Sequence, residues 1–200
     1  KWKVKDVSVK YVLGAFPPEL GSWLNAPPMG WHSHLTGIGG LHAGLTVQAL
    51  LHAHPISKMV FIGTCGSFDL QRYPIGTLVE VSEATTRSLG EKTGHSFRLP
   101  DETIRWSHTW SLGSFPLVRA VCPPAITQTL SAAHELASFG VVEHLEVAGV
   151  FAACHHYSIP VTACLMVANE VGPEGHEQWK THHHTLMETL RTGEPLRQSL

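Results

Sequence analysis

The sequence predicts an α/β protein, a three-layer α/β/α domain around a central mixed, mostly parallel sheet. Three observations carry that expectation. Apolar β-runs alternate with segments of helical periodicity along the whole chain. The stretch from Pro160 to Val167 is a continuous β-run, the pattern of a strand buried on both faces. The run Met59-Val60-Phe61-Ile62 stops abruptly in a glycine-flanked turn, Gly63-Thr64-Cys65-Gly66-Ser67, as strands do at the ligand-binding rim of an open α/β sheet.

In chain order, Lys3 to Leu13 alternates and then turns apolar, a strand ending at Gly14. Gly14 to Leu20 is a loop whose prolines start a short helix carrying Leu20 and Trp23. Pro27 to Gly30 is a turn, and Thr36-Gly37-Ile38-Gly39-Gly40 is a second glycine turn that opens a helix. That helix, Gly40 to His54, is expected to bury Leu41, Leu45, Ala49 and His52 and to close at Pro55. Strands follow at Lys58 to Ile62 and Gly76 to Val81. Thr85 to Trp110 is polar and irregular, the mark of a functional loop.

Leu117 to Val121 reads as a strand, Thr129 to Ser138 as a helix, and Val141-Val142 as a short strand. Glu146 to His156 is a helix with Val147, Val150, Phe151 and Cys154 on its apolar stripe. After the strand from Pro160, the segment His176 to Leu190 closes the chain as a helix, with Trp179, His183, Leu186 and Leu190 on one side. No repeat or linker divides the chain, so residues 1–200 are expected to form a single domain.

With 14 basic and 16 acidic residues the net charge is −2, which gives no electrostatic reason to expect nucleic acid or an anionic membrane as partner. No apolar run approaches the roughly 20 residues that span a bilayer. The four cysteines, Cys65, Cys122, Cys154 and Cys164, lack paired spacing and read as reduced thiols, and the cytoplasm is the expected location. Histidines recur at His52 and His54, His155-His156, and His182-His183-His184, without the closing ligands a zinc site needs. No metal and no cofactor is expected.

Residues just after strands gather at one rim of such a sheet. Glu19 follows the first strand, the Gly63–Ser67 turn follows the next, and Asn169 follows the last; Glu146 opens the helix before it. Plainer readings exist: Glu19 and Glu146 as first-turn acids favoured by the helix dipole, Asn169 as a turn former.

The order Gly14-Ala15-x-x-x-Glu19, Thr36-Gly37-Ile38-Gly39, Gly63-Thr64-Cys65-Gly66, Leu145-Glu146 and Asn169 resembles the purine nucleoside phosphorylase/nucleosidase superfamily over nearly the whole chain, with Thr85 to Trp110 weakly matched. The amino end is similar to the methylthioadenosine/S-adenosylhomocysteine nucleosidases. The resemblance implies Glu19 as the water-activating glutamate and Leu145-Glu146 as the pair whose acid binds the ribose hydroxyls. It puts Asn169 where those enzymes carry the acid that protonates adenine. The carboxyl end, Ala168-Asn169-Glu170-Val171-Gly172 and then Trp179, is similar to the futalosine hydrolases, whose substrate carries hypoxanthine.

The resemblance thus implies a nucleosidase with Glu19 and Asn169 catalytic. Substrate would be held by Glu146, Leu145, Gly63, Thr64, Cys65, Gly66, Ile38 and Thr127, with Gln128 beside the base. Phe16 and Phe151 are further contact candidates with a core reading beside it; Trp106 and Trp110 either line the pocket or pin their loop. Phosphorylases of the superfamily carry arginines around phosphate, and this chain has Phe61-Ile62 and Pro17-Pro18-Glu19 at those places, although Arg72, Arg87, Arg98 and Arg105 lie in loops. The expected partner is a small purine nucleoside, and the expected assembly a homodimer. A non-catalytic nucleoside-binding protein is the reading from another class.

Overall fold

The computed structural model describes residues 8–100 and 102–200. The expected first strand is β1, Val9–Gly14; its share in residues 3–7 lies outside the described residues. After it come α1 (Pro17–Leu20), a 3-10 turn (Gly21–Leu24), β2 (Trp31–Leu35), α2 (Gly40–Ala53), β3 (Ile56–Ser67) and β4 (Leu78–Thr86). Next are α3 (Leu89–Lys92), β5 (Arg105–Ser107), β6 (Leu117–Cys122), α4 (Leu130–Leu136) and β7 (Val142–Glu143). The chain closes with α5 (Val147–His156), β8 (Val161–Glu170), α6 (Gly175–Thr192) and α7 (Glu194–Ser199).

Helices cover both faces of a mixed sheet, and alternation along each strand explains why. Leu13, Met59, Phe61, Ala163 and Leu165 point to one face and pack on Ala43 and Val47 of α2 and on Val150, Phe151 and Cys154 of α5. Val12, Val60, Ile62, Cys164 and Met166 point to the other, against Leu20, Trp23, Met187, Leu190 and Leu196. Phe151 is fully buried core, which ends its candidacy as a ligand contact.

The sheet does not stay open, although the comparison of Gly63–Ser67 with the rim of an open α/β sheet expects it to. β8 pairs parallel with β3 and antiparallel with β4, while β4, β6, β7 and β3 pair in turn, so these strands close a ring. β1 holds one edge of β3 only as far as Phe61, and β7 takes that edge from Gly66. The gap between them is where the site forms.

Several expectations change accordingly. Gly63 to Ser67 is not a turn: it continues β3, paired with β8 to Ser67 with a register shift between Cys65 and Gly66. Asn169 lies within β8, not after it. The helix α2 buries Ala43, Val47 and Leu50, leaving Leu41 and Leu45 81% and 57% exposed, the reverse of the expected stripe. Small residues decide this: Gly40 and Gly44 press directly on Gly149 of α5, where larger side chains would not fit.

The expected loop from Thr85 holds the end of β4, α3 and β5. Its tryptophans pin structure rather than line the cavity described below. Trp110 donates its indole N–H to the Met59 carbonyl at 3.2 Å, and Trp106 packs on the main core.

Candidate active site

One cavity of about 360 Å³ opens above the gap in the edge of β3. Its walls include Ala15, Phe16, Glu19, Ile38, Thr64, Cys65, Gly66, Leu145, Glu146 and Asn169, so both expected acids and the expected carboxamide meet in one place. Gly63 sits just behind it: a Cβ there would come within 2.8 Å of Glu19 Oε1. Thr127 supports the wall from outside through Glu143, and Gln128 is exposed and not part of the lining.

Glu19 is 3% exposed on α1. Its Oε2 accepts from the Ala15 amide at 2.5 Å, and its Oε1 accepts from the Thr64 amide at 3.3 Å. Thr64 pairs with β8 on one side, which leaves its N–H directed across the open edge of β3. Burial in an apolar setting pushes the Glu19 carboxyl up to about 8, against the pull of the Ala15 amide and with further help from the Glu146 charge. From below, the Arg191 guanidinium of α6 donates to the Pro18 and Glu19 carbonyls at 2.9 and 2.8 Å, fixing the short helix that carries the acid.

Glu146 caps α5. Its Oε1 accepts from the Gly39 amide at 2.7 Å, tying α5 to the second glycine turn. Gly37 and Gly39 adopt φ of +79° and +90°, a region that favours glycine and brings the amide round to the carboxylate. Its Oε2 lies 3.4 Å from His144 Nδ1. That nitrogen accepts from the Glu146 and Val147 amides, so it carries no proton, and the contact is not an ion pair. Burial lowers the His144 pKa in the same sense.

Asn169 Nδ2 donates one hydrogen to the Glu170 carbonyl at 2.8 Å, leaving its second N–H and its carbonyl for a ligand. On the opposite wall Trp179 Nε1 donates to Thr64 Oγ1 at 2.9 Å, stacks on His183 with centroids 4.0 Å apart, and faces Phe16 at 5.8 Å.

Glu143, His144, Ile126, His176 and Arg191 were not picked out by the sequence. Glu143 accepts from the Thr127 amide at 3.1 Å and from its hydroxyl. Burial raises its carboxyl while the Thr127 donors pull it down. The signal for Glu143 was present: an acid ending a short apolar strand, three positions before Glu146.

Among the described residues no Lys or Arg lines the cavity. Arg87 and Arg98 are paired with Glu91, Arg105 lies 4.0 Å from Glu83, and Arg72 rests on Tyr73. The described residues also hold no group of histidines, cysteines and acids able to bind a metal. His52 bonds the Tyr157 hydroxyl, His155 the Ser107 carbonyl and His182 the Ala168 carbonyl. The four cysteines are free and buried.

No protein-family profile matches the sequence, and no curated protein matches it. Solved structures do. Futalosine hydrolase of Helicobacter pylori superposes with a TM-score of 0.83 at 14% identity, over 97% of this chain and 99% of that one. The 5′-methylthioadenosine/S-adenosylhomocysteine nucleosidase of the same organism, in complex with butyl-thio-DADMe-Immucillin-A, gives 0.82 at 14% identity over 96% and 97%. The nucleosidase of Colwellia psychrerythraea in complex with adenine gives 0.77 at 17% identity over 96% and 94%. The chain therefore has the nucleoside phosphorylase/nucleosidase fold. Within that fold the similar structures are nucleosidases of both kinds, one named for futalosine and the others for methylthioadenosine and S-adenosylhomocysteine.

Proposed function

We propose that this protein hydrolyses the N-glycosidic bond of a purine nucleoside, in the manner of a futalosine hydrolase, releasing a 6-oxopurine. The observation that carries the reading is the convergence of Glu19, Glu146 and Asn169 on one apolar-walled cavity that, among the described residues, no Lys or Arg lines. A phosphate dianion beside the carboxyl groups of Glu19, Glu143 and Glu146, with no Lys or Arg among the described lining residues, would be strongly disfavoured, whereas neutral water is not. Water is therefore the nucleophile, and phosphorolysis is the weaker reading.

In this mechanism the C1′–N9 bond breaks with its electron pair leaving on the purine, and positive charge develops at the ribosyl ring. Glu146 Oε2 grips the ribose hydroxyls and favours that charge electrostatically. Ionised Glu19 takes the proton from water as its oxygen bonds C1′; help of this kind is worth roughly 10²–10⁴-fold. The free N–H of Asn169 donates to N7 or the 6-oxo group as negative charge builds on the base, a donor worth about 3 kcal/mol where charge develops. An amide cannot protonate the leaving group. It therefore suits hypoxanthine, which departs as an anion more readily than adenine, and this weighs against the methylthioadenosine/S-adenosylhomocysteine reading.

A homodimer belongs to the same reading. Ile38, which lines the cavity, and Leu41 and Leu45 of α2 are 66%, 81% and 57% exposed, an apolar surface suited to a second copy. Sedimentation of Leu45→Glu against the native protein tests it, and an unchanged mass would refute it. The function itself is tested by incubation with futalosine, inosine and methylthioadenosine and identification of the base and sugar formed. Binding of these nucleosides without turnover would favour the non-catalytic reading.

A further inference from the structure

Glu19 is gripped at its backbone and at its carboxylate, and α6 reaches both. The helix α1 that carries Glu19 has four residues, Pro17–Leu20, and no side-chain cap at Phe16. A helix leaves its last carbonyls without partners of its own, and one this short depends on outside donors. The Pro17 carbonyl accepts from the Gly21 amide. Those of Pro18 and Glu19 both accept from Arg191 Nη1, at 2.9 and 2.8 Å, which sets a cation at the carboxyl end of α1. Gly21 makes room for that guanidinium: its φ is +45°, and a Cβ there would lie 2.5 Å from Arg191 Nη2. About three turns earlier on the same helix, Trp179 Nε1 donates to Thr64 Oγ1, and the Thr64 amide donates to Glu19 Oε1.

The Arg191 clamp is a costly one. Burial lowers the pKa of the guanidinium, and among the described residues it forms no ion pair. Its two hydrogen bonds go to the backbone of the helix that bears the acid, and it is not among the residues that line the cavity. We propose that Arg191 is a positioning residue, which fixes α1 and thereby sets the Glu19 carboxylate against the attacking water. The inference rests on the nucleosidase reading above and deepens it. A displacement of about 1 Å at a reacting group costs on the order of 10²-fold in rate. Glu146 and Asn169 belong to α5 and β8, so the grip on the nucleoside does not depend on the clamp.

The test is steady-state hydrolysis of inosine and futalosine across pH by the native protein, Arg191→Met and Arg191→Lys, with melting temperatures beside it. Met keeps the apolar stem and removes the donors, whereas Lys keeps a donor and the charge. Arg191→Met is expected to lose about 10–100-fold in kcat while KM changes by less than about threefold. Arg191→Lys is expected to recover part of that loss. The pH profile separates position from charge. Burial holds the Glu19 carboxyl up to about 8, with the Glu146 charge adding to the rise. A loosened α1 admits water to the carboxylate, so the inflection in kcat/KM should fall by about one unit in Arg191→Met; loss of a cation acting through space would raise it. A kcat within about twofold of native, a loss carried wholly by KM, or an inflection that stays or rises would overturn the inference. Should Arg191→Met fail to fold, Arg191→Lys decides on the same readouts. Native protein that hydrolyses neither nucleoside would overturn the nucleosidase reading, and the role of Arg191 with it.

Discussion

Trp179 donates its indole N–H to the hydroxyl of Thr64 at 2.9 Å, joining residues 115 positions apart across the mouth of the cavity. The amide of the same Thr64 donates to Glu19. The tryptophan on α6 therefore holds the residue that holds the acid. Trp179→Phe keeps the stack on His183 but removes the donor, at a cost of about 1 kcal/mol. The expected result is a roughly fivefold loss in kcat/KM for a purine nucleoside with little change in melting temperature.

Glu19 must be ionised to act as a base, yet burial holds its pKa up to about 8. The kcat/KM of the native protein should therefore rise tenfold per pH unit and level off near pH 8. Glu19→Gln should lose roughly 10²–10⁴-fold. Near-normal turnover by that variant would remove Glu19 from the role.

The same shift has a consequence for stability. The folded protein binds the Glu19 proton more tightly than the unfolded chain, so this contribution is complete below the ordinary carboxylate range near 4.5 and is lost as pH rises toward about 8. Relative to Glu19→Gln, the native protein should lose melting temperature between those limits and remain parallel to it outside them. Each unit of difference is worth about 1.4 kcal/mol.

Gly149 lies where α5 crosses α2, and a Cβ there would overlap the Gly40 carbonyl oxygen outright. Gly149→Ala should destabilise by about 2–3 kcal/mol, the range for overpacking a tight contact. In a chain of this size that lowers the melting temperature by roughly 5–10 °C. Since α5 carries Glu146, activity should fall in the same variant.

The strand order of motifs was legible because apolar runs and glycine positions are local signals: Val147, Val150, Phe151 and Cys154 were read as one buried stripe and are one. Glu19, Glu146 and Asn169 stood out for a different reason, as polar residues at the ends of apolar segments, and the fold brings all three to one cavity. What escaped was set by distant contacts. The buried face of α2 is chosen by Gly149, 105–109 positions away from Gly44 and Gly40, and no periodicity within α2 records it. β2, with the sequence Trp31-His32-Ser33-His34-Leu35, is an edge strand too polar to stand out. β3 extends through its glycines because β8 pairs with them, where propensity alone suggests a turn. Glu143 became visible only when the ring of strands set it beside Gly66.

Water as the nucleophile is the claim on which the rest depends. The most direct measurement is product analysis for inosine or futalosine in phosphate-free buffer and again with phosphate. The account predicts free purine base and the free sugar in both, at the same rate. Sugar 1-phosphate as the product, with cleavage only when phosphate is added, would contradict it.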